Sequence, residues 1–205
     1  MAIKAIILCE CSGKVRNALR KVGVDAYSCD LVDSDTPSKY HLKMDARKAL
    51  YLEQWDFIGA HPPCDYLTVS NNNAMTHGCS LYTAEEGREL RRQAIEFFML
   101  FANEFKAKPQ LKGYIEQPVG IMSTRYRKPT QFIHPWQFGH AETKKTGLWL
   151  FGLPLLQPTN VISKELRKNV VWKMGPSVDR KKKRSETYQG WADAMASQWF
   201  NQQEE

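Results

Sequence analysis

The stretch that decides the fold is "AIKAIILCECSGKVRNALRKVG", residues Ala2–Gly23. It begins with a continuous apolar run, Ala2–Cys9, which is typical of a strand buried on both faces of a parallel sheet. A helical pattern follows directly, and we expect Ser12 to cap this helix and Gly23 to end it. A buried strand that leads straight into an amphipathic helix predicts a parallel βαβ unit.

The rest of the chain continues this alternation. Further strands are predicted at 24–31, 39–45, 55–60, 111–120, 129–139 and 146–154, and further helices at 46–54, 84–105 and 190–200. Strands separated by helices favour right-handed crossovers, so the predicted fold class is an α/β domain with a doubly wound, mostly parallel sheet. The segment 61–83 has no periodic pattern and is predicted to be a long loop, and a candidate lid, at the carboxyl end of a strand.

Length and composition indicate one soluble domain. The 205 residues are enough for a single full core, and 42% hydrophobic with 25% charged residues is ordinary for a globular protein. No apolar run approaches the ~20 residues of a membrane-spanning helix, and no cleavage site follows the apolar N-terminus, so we expect a cytoplasmic protein without membrane contact. The five cysteines favour reduced thiols, and because their spacing matches no structural zinc site, no metal is expected.

The positive charge is concentrated near the C-terminus. Residues 164–184 contain nine basic and two acidic residues, an excess equal to the net charge of +7 of the whole chain. The run "DRKKKR", residues Asp179–Arg184, is either a solvated loop or a contact for a phosphate backbone. The charge pattern alone leaves both interpretations open.

Three acidic residues fall at the ends of predicted strands: Asp30, Asp45 and Glu116. In an open α/β sheet, ligands bind at the carboxyl edge of the strands, and an acidic residue after the second strand accepts hydrogen bonds from ribose hydroxyls. Gly13 would let a ligand approach the backbone of the first turn. In this order the four residues describe an adenosine-type cofactor site. The fourth predicted strand ends differently, in a stiff turn that presents a thiol, Pro62–Cys64.

The order of these motifs resembles that of the DNA (cytosine-5) methyltransferase family, over most of the chain. The matching segments are "CECSGK" (9–14) for the glycine-rich turn, Asp30 and Asp45 for two acidic motifs, "PPCDYLTVS" (62–70) for the catalytic Pro-Cys-Gln motif, "EQP" (116–118) for Glu-Asn-Val, "FGHAETKKTGLWL" (138–150) for Gln-x-Arg-x-Arg and "YQGWADAMASQW" (188–199) for the closing motif. The resemblance implies a Rossmann-like fold of the S-adenosylmethionine-dependent methyltransferase type. The chain also resembles small phage and prophage proteins of methyltransferase type, for which the location would be the host cytoplasm.

The resemblance further implies an activity, which is transfer of a methyl group from S-adenosyl-L-methionine to carbon 5 of cytosine. The catalytic residues would be Cys64, which attacks carbon 6, Glu116, which hydrogen-bonds ring nitrogen N3, and Lys144, which stands near O2. The cofactor-binding residues would be Ser12, Gly13, Asp30, Asp45 and Pro62.

DNA is the implied partner, either double- or single-stranded, with the target base outside the stack. The implied DNA contacts are Thr68, Ser70, Arg180, Lys181, Lys182, Lys183 and Arg184. The interval 151–186 is too short for the target-recognition domain of the family, and within a single domain, 1–205, the basic segment 164–184 takes its place. Because phosphate contacts carry little sequence information, we expect a weak sequence preference.

Several positions depart from the family pattern: Cys9 replaces an aromatic residue, Lys14 a glycine, Asp65 a glutamine, Gln117-Pro118 an Asn-Val pair, and Lys144 and Thr146 two arginines. Two other functions therefore stay open. One is a DNA-binding or partner-binding protein, of a phage anti-defence kind, that keeps the fold without the chemistry. The other is an enzyme that modifies free pyrimidine nucleotides.

Overall fold

Seven strands form one sheet in the described part of the chain, residues 2–170 and 187–200 of a computed structural model. In chain order the strands are β1 (Lys4–Leu8), β2 (Asp25–Asp30), β3 (His41–Lys43), β4 (Phe57–Ala60), β5 (Lys112–Pro118), β6 (Gln131–Ile133) and β7 (Thr146–Phe151). Their order across the sheet is β3-β2-β1-β4-β5-β7-β6. Strands β1 to β5 pair in parallel, whereas β7 is inserted antiparallel between β5 and β6.

The strand order is doubly wound. From β1, the chain builds outward through β2 and β3 on one side and then returns to build through β4 and β5 on the other. The reversal leaves a switch point between β1 and β4, which is where open α/β sheets bind ligands. The predicted fold class, an α/β domain with a doubly wound, mostly parallel sheet, is confirmed.

Helices cover both faces of the sheet, and the described residues contain six of them. They are α1 (Lys14–Lys21), α2 (Ala46–Ala49), α3 (Asn72–His77), α4 (Ala84–Ala107), α5 (Met122–Arg125) and α6 (Gln189–Phe200). On one face, Leu19 of α1 and Trp191 of α6 join one core. On the other face, Ala49 of α2 and Phe101 of α4 join a second core.

Strand β1 illustrates why its sequence is apolar throughout. Ala5 and Ile7 point into the core under α1 and α6, while Ile6 and Leu8 point into the core under α2 and α4. All four side chains are fully buried. Successive side chains of a strand alternate between the two faces, so a sheet covered on both sides requires an apolar residue at every position.

The segment 61–83 is more ordered than the predicted loop. It contains α3, preceded by a 3₁₀ turn at Val69–Asn71. Arg91 of α4 holds this segment, because its Nε donates to the Tyr66 carbonyl and its Nη1 to Asn72 Oδ1, both at 2.8 Å. The predicted long loop therefore contains a short helix that the sequence pattern did not indicate, since a tertiary contact from α4 supplies order that local periodicity lacks.

The described residues contain neither a candidate membrane-spanning helix nor a candidate metal-binding cluster. Within 2–170 and 187–200, no helix is both long enough and apolar enough to cross a membrane. The same residues contain no group of three or more His, Cys, Asp or Glu side chains arranged to hold a metal ion.

Candidate active site

The sequence-predicted residues gather at one edge of the sheet. Leu8 at the end of β1 lies beside both Cys29 of β2 and Ala60 of β4, and Ala60 in turn lies beside Ile115 of β5. Asp30, Cys64 and Glu116 each follow these positions within four residues. Asp30, Cys64 and Glu116 therefore lie at the carboxyl edge of the sheet, around the switch point.

The first turn differs from the expected arrangement. Helix α1 begins at Lys14, with Gly13 as its N-cap in the left-handed region (φ 69°), so the prediction that Ser12 is the N-cap was wrong. The Lys14 N–H donates to Glu10 Oε1 at 3.0 Å, and the Ser12 hydroxyl donates to the same carboxylate. Glu10 is buried, and its carboxylate satisfies the Lys14 N–H together with Ser12 Oγ, which accepts from the same N–H at 3.3 Å.

Arg16 closes the space beside this turn. Its buried guanidinium lies against Gly13, so that a methyl group added there would overlap Arg16 Nη2. Arg16 Nη1 donates to Ser28 Oγ at 2.7 Å. Burial raises the pKa of Glu10, although the Ser12 hydrogen bond and the charge of Arg16 oppose the shift. The turn thus offers a buried carboxylate and a guanidinium where a glycine-rich turn would offer bare amides.

Asp30 and Asp45 both lie near Cys9. The pKa of the Cys9 thiol is raised by burial first, and then by the negative charges of Asp30, Cys29 and Asp45. Cys9 itself has a positive φ of 59°, an uncommon conformation for a residue with a side chain. The strand ends therefore bring both predicted carboxylates to one place.

The two carboxylates are not equally available to a ligand. Asp45 is the N-cap of α2: its Oδ1 accepts from the Arg47 N–H at 2.7 Å and its Oδ2 from Arg47 Nη1 at 3.2 Å. Asp30 Oδ1 accepts from the Val32 N–H at 3.3 Å, and its other oxygen has no hydrogen-bond partner in the described residues. A half-buried carboxylate with a free oxygen at the end of β2 fits the ribose hydroxyls of an adenosine-type cofactor.

Cys64 lies on a turn that is fixed at both ends. After Pro62 and Pro63, the Cys64 carbonyl accepts from the N–H groups of Leu67 and Thr68 at 3.0 and 3.2 Å. The Leu67 carbonyl accepts from the Ile121 N–H at 2.8 Å, which ties the turn to the chain that follows β5. The half-buried thiol is thereby carried by a rigid segment at the ligand edge.

Gln117 fastens the same turn from the other side. This residue of β5 is buried, and its side-chain amide donates to the Pro62 carbonyl. Pro62 has no N–H with which to bond a neighbouring strand. The hydrogen bond from the Gln117 side chain to its carbonyl connects the turn to β5. Pro62 contributes to the site through this turn.

Substitution of Gly120 should displace the turn that carries Cys64. A methyl group at Gly120 would overlap the Leu67 carbonyl oxygen. We expect Gly120→Ala to lower the rate of any reaction of the Cys64 thiol with a bound substrate about 10²-fold, because a shift of about 1 Å in a reacting group costs that much. The rate of that reaction is the quantity measured. Gly23→Ala is the control: its positive φ of 86° also strains an alanine, but it lies in an exposed turn with open space around it, at the far end of α1. Equal activity of Gly120→Ala and wild type would show that the turn does not position Cys64.

A second group of polar side chains surrounds Glu116. Tyr114 and Glu116 stand two positions apart on β5, so their side chains lie on the same face of the sheet, which α1 and α6 cover. The Tyr114 hydroxyl lies 2.7 Å from His61 Nε2. Burial lowers the pKa of His61 to about 3, with a further contribution from the charge of Lys144. His61 is therefore neutral at pH 7.

Glu116 has the properties of a proton donor. Burial raises its pKa, and the positive charge of Lys144 opposes the shift. Its Oε1 is buried and has no hydrogen-bond partner among the described residues. Lys144 therefore lies within electrostatic range of both Glu116 and His61. A carboxyl with a raised pKa and an unused oxygen is able to donate a hydrogen bond to a ligand.

The closing helix returns to this edge and contacts Lys144. The Lys144 ammonium lies 5.9 Å from the Trp191 ring centroid and 6.0 Å from that of Tyr188, at the limit of cation–π attraction. His140 Nε2 accepts from the Gly190 N–H at 3.0 Å and joins the start of α6 to the chain before Lys144. The matched closing motif thus supports the position of this cation.

The remaining predicted residues lie beside the Cys64 turn, at the start of β7 or outside the described residues. Ser70 is exposed and donates to Thr68 Oγ1 at 3.1 Å, on the turn that leads into α3. Thr146 begins β7, and its buried hydroxyl has no partner in 2–170 and 187–200. The predicted DNA contacts of the basic run, Arg180, Lys181, Lys182, Lys183 and Arg184, lie outside the described residues.

Sequence reasoning missed four members of the site: Glu10, His61, Tyr114 and Gln117. Two of them carried a signal, because His61 immediately precedes the Pro-Pro-Cys turn and Tyr114 stands two positions before Glu116 on the same strand face. The role of Glu10 depends on the left-handed turn at Gly13, which the sequence does not display.

No family model and no curated protein matches this chain. A solved structure does resemble it. That crystal structure is described as a proposed DNA modification methyltransferase encoded within a prophage of E. coli, with 12% sequence identity and a TM-score of 0.46. The match covers 78% of this chain and 52% of the other, so the chain spans about half the length of that protein.

Proposed function

We propose that this protein is an S-adenosylmethionine-dependent methyltransferase that modifies carbon 5 of cytosine in DNA, with Cys64 as its nucleophile. The observation that carries the proposal is the pairing of a rigid, thiol-bearing turn with the buried carboxyl of Glu116. Gln117, the residue after Glu116, bonds to the Pro62 carbonyl in that turn. Gln117 therefore connects the strand that carries the proposed proton donor, Glu116, to the turn that carries the proposed nucleophile, Cys64.

The chemistry needs both groups because carbon 5 of cytosine is a poor nucleophile. The Cys64 thiolate adds to carbon 6 and forms a carbon–sulfur bond, while N3 takes a proton from Glu116. The ring then has the electron distribution of an enamine, which makes carbon 5 nucleophilic. Carbon 5 would then take the methyl group as the bond between that group and the donor sulfonium breaks. Transfer of the carbon 5 proton to water, expulsion of the Cys64 thiolate and return of the N3 proton to Glu116 would restore the ring. Lys144 stabilises the charge that develops at O2.

The cofactor would lie across the switch point. S-adenosylmethionine, when bound, supplies an electrophilic methyl group. Asp30 would accept from its ribose hydroxyls through the oxygen that is free within the described residues. Asp45, held by Arg47, would keep the neighbouring strand end in place. At the first turn the Glu10 carboxylate suits the ammonium end of such a ligand better than its carboxylate end.

Calorimetry tests the cofactor assignment. We expect S-adenosylhomocysteine to bind the wild type and to lose about 10-fold or more in affinity with Asp30→Ala, because hydrogen bonds to a charged group contribute about 1.5–3 kcal/mol. Asp33→Ala is the matched control, since Asp33 is exposed and pairs with Lys43 nearby. Absence of binding to the wild type at millimolar concentration would contradict the assignment.

One observation favours a second function. The first turn has its Lys14 amide taken by Glu10 and the space beside Gly13 filled by Arg16. A protein that has given up the cofactor and only binds DNA or a partner protein would tolerate such a filled turn. The same calorimetry separates the two, since this alternative requires no affinity for either form of the cofactor.

A further inference from the structure

The described start of the basic segment folds back beside the active-site edge. The Lys168 N–H donates to the Ala141 carbonyl at 2.6 Å, and the Thr143 N–H donates to the Lys168 carbonyl at 3.0 Å. Glu142 Oε2 accepts from the Val170 N–H at 3.0 Å. These bonds hold residues 167–170 alongside the chain that leads directly to Lys144. Glu142, at the glutamine position of the family motif, therefore anchors this segment.

Arg167 is held in a fixed orientation within this segment. Its guanidinium carbon lies 3.6 Å from the centroid of the Trp136 ring. Its Nε donates to the Ile162 carbonyl at 3.0 Å. His134 stacks with the Trp136 ring at 5.4 Å and an interplanar angle of 27°. The ring and the carbonyl together fix the guanidinium plane, and neither terminal nitrogen has a hydrogen-bond partner in the described part of the chain.

The surroundings of Arg167 are positively charged. Burial lowers the pKa of His134, and the charges of Lys145 and Arg167 lower it further, which places both cations near this ring. Lys145 and Lys168 are exposed. The acidic residue in the immediate sequence is Glu165, which is itself exposed and lies two positions before Arg167. The cations Arg167, Lys145 and Lys168 thus face one exposed carboxylate, Glu165, whereas the Glu142 carboxylate is buried and accepts from the Val170 N–H.

We propose that Arg167, supported by Trp136, is a preformed phosphate-binding group for the DNA strand that enters the active-site edge. The inference rests on the proposed function, because it takes DNA as the substrate. A planar guanidinium with both terminal nitrogens available matches two phosphate oxygens. The stacking on Trp136 fixes the fork beforehand, so little side-chain entropy is lost on binding. Such a contact sets the register of the strand relative to Cys64 without reading its sequence.

DNA affinity should depend on the planar fork of the Arg167 guanidinium as well as on its charge. Arg167→Ala should weaken binding of a labelled duplex about 10-fold or more at low salt. It should also flatten the log–log salt dependence by ~0.9, because one phosphate contact is lost. Arg167→Lys keeps the charge but loses the fork and the Nε bond, so it should retain most of the salt slope and only part of the affinity. Fluorescence anisotropy across a salt titration measures both quantities.

Arg127→Ala is the matched control. The Arg127 guanidinium also packs on an aromatic ring, 5.2 Å from the centroid of Phe151, but Phe151 pairs with Gly113 at the opposite end of β5 from the active-site edge. This variant removes the same charge and should bind DNA like the wild type. Thermal unfolding and cofactor calorimetry of each variant verify that the fold and the cofactor site are intact.

The outcomes separate this inference from the function on which it rests. If Arg167→Ala binds DNA as the wild type does, or no more weakly than Arg127→Ala, the inference is overturned while methylation by the wild type stands. If Arg167→Lys equals the wild type in affinity, a point charge suffices and the preformed fork is refuted. If the wild type binds no DNA at all, the proposed substrate fails, and the inference fails with it.

Discussion

Replacement of Cys64 by alanine is expected to lower methyl transfer to DNA by at least about 10³-fold, because loss of a covalent nucleophile removes the step that activates carbon 5. Binding of S-adenosylhomocysteine should change by less than about twofold, since the thiol contributes nothing to the ribose side of the site. Transfer of a radiolabelled methyl group measures the first quantity and calorimetry the second. The split between the two would identify the loss as chemical.

Cys79→Ala is the matched control for this substitution. Cys79 is exposed and lies beyond α3, where its N–H donates to the Tyr82 carbonyl at 2.9 Å. Its loss should leave activity unchanged. Wild-type activity in Cys64→Ala would contradict the mechanism outright, whatever the cofactor affinity.

Glu116→Gln is expected to lower kcat/KM for methyl transfer by about 10²–10⁴-fold, the usual contribution of a positioned acid. The amide keeps the shape of the side chain and its ability to donate a hydrogen bond, but it does not transfer a proton to N3. Glu104→Gln, a buried glutamate of α4 that pairs with Lys108, is the control and should retain activity. Undiminished turnover by Glu116→Gln would mean that N3 needs no proton donor.

The pH dependence of the wild type follows from the same residue. Burial raises the pKa of Glu116, so the carboxyl keeps its proton to a higher pH than an exposed glutamate would. The proton is present below the raised pKa and is lost as the pH increases through it. Activity of the wild type should therefore fall on that alkaline side, and Glu116→Gln should lack this fall because an amide does not titrate.

The parts of the fold that sequence predicts well are those set by local pattern and double burial. The apolar run at Ala5–Leu8 had to form a strand covered on both faces, and Thr83 with Glu86 forms the capping box that begins α4. Acidic residues at the ends of parallel strands could then be predicted to lie at one edge of the sheet, because the carboxyl ends of such strands lie together. Asp30 and Glu116 were found in this way.

The parts that escaped prediction depend on contacts distant in the sequence. Helix α3 is held by Arg91, which stands nineteen positions after Asn72. The insertion of β7 between β5 and β6 is a matter of pairing that periodicity does not encode. Each of these is decided by tertiary structure, which overrides or adds to local preference.

The most direct measurement is a covalent trap. DNA that contains 5-fluorocytosine at target positions is incubated with the protein and S-adenosylmethionine, and the product is analysed by denaturing electrophoresis and mass spectrometry. Fluorine at carbon 5 cannot leave as a proton does, so the thioether between Cys64 and carbon 6 should persist. The account predicts a stable protein–DNA adduct with the wild type and none with Cys64→Ala. A wild-type protein that binds both DNA and cofactor yet forms no adduct would contradict it.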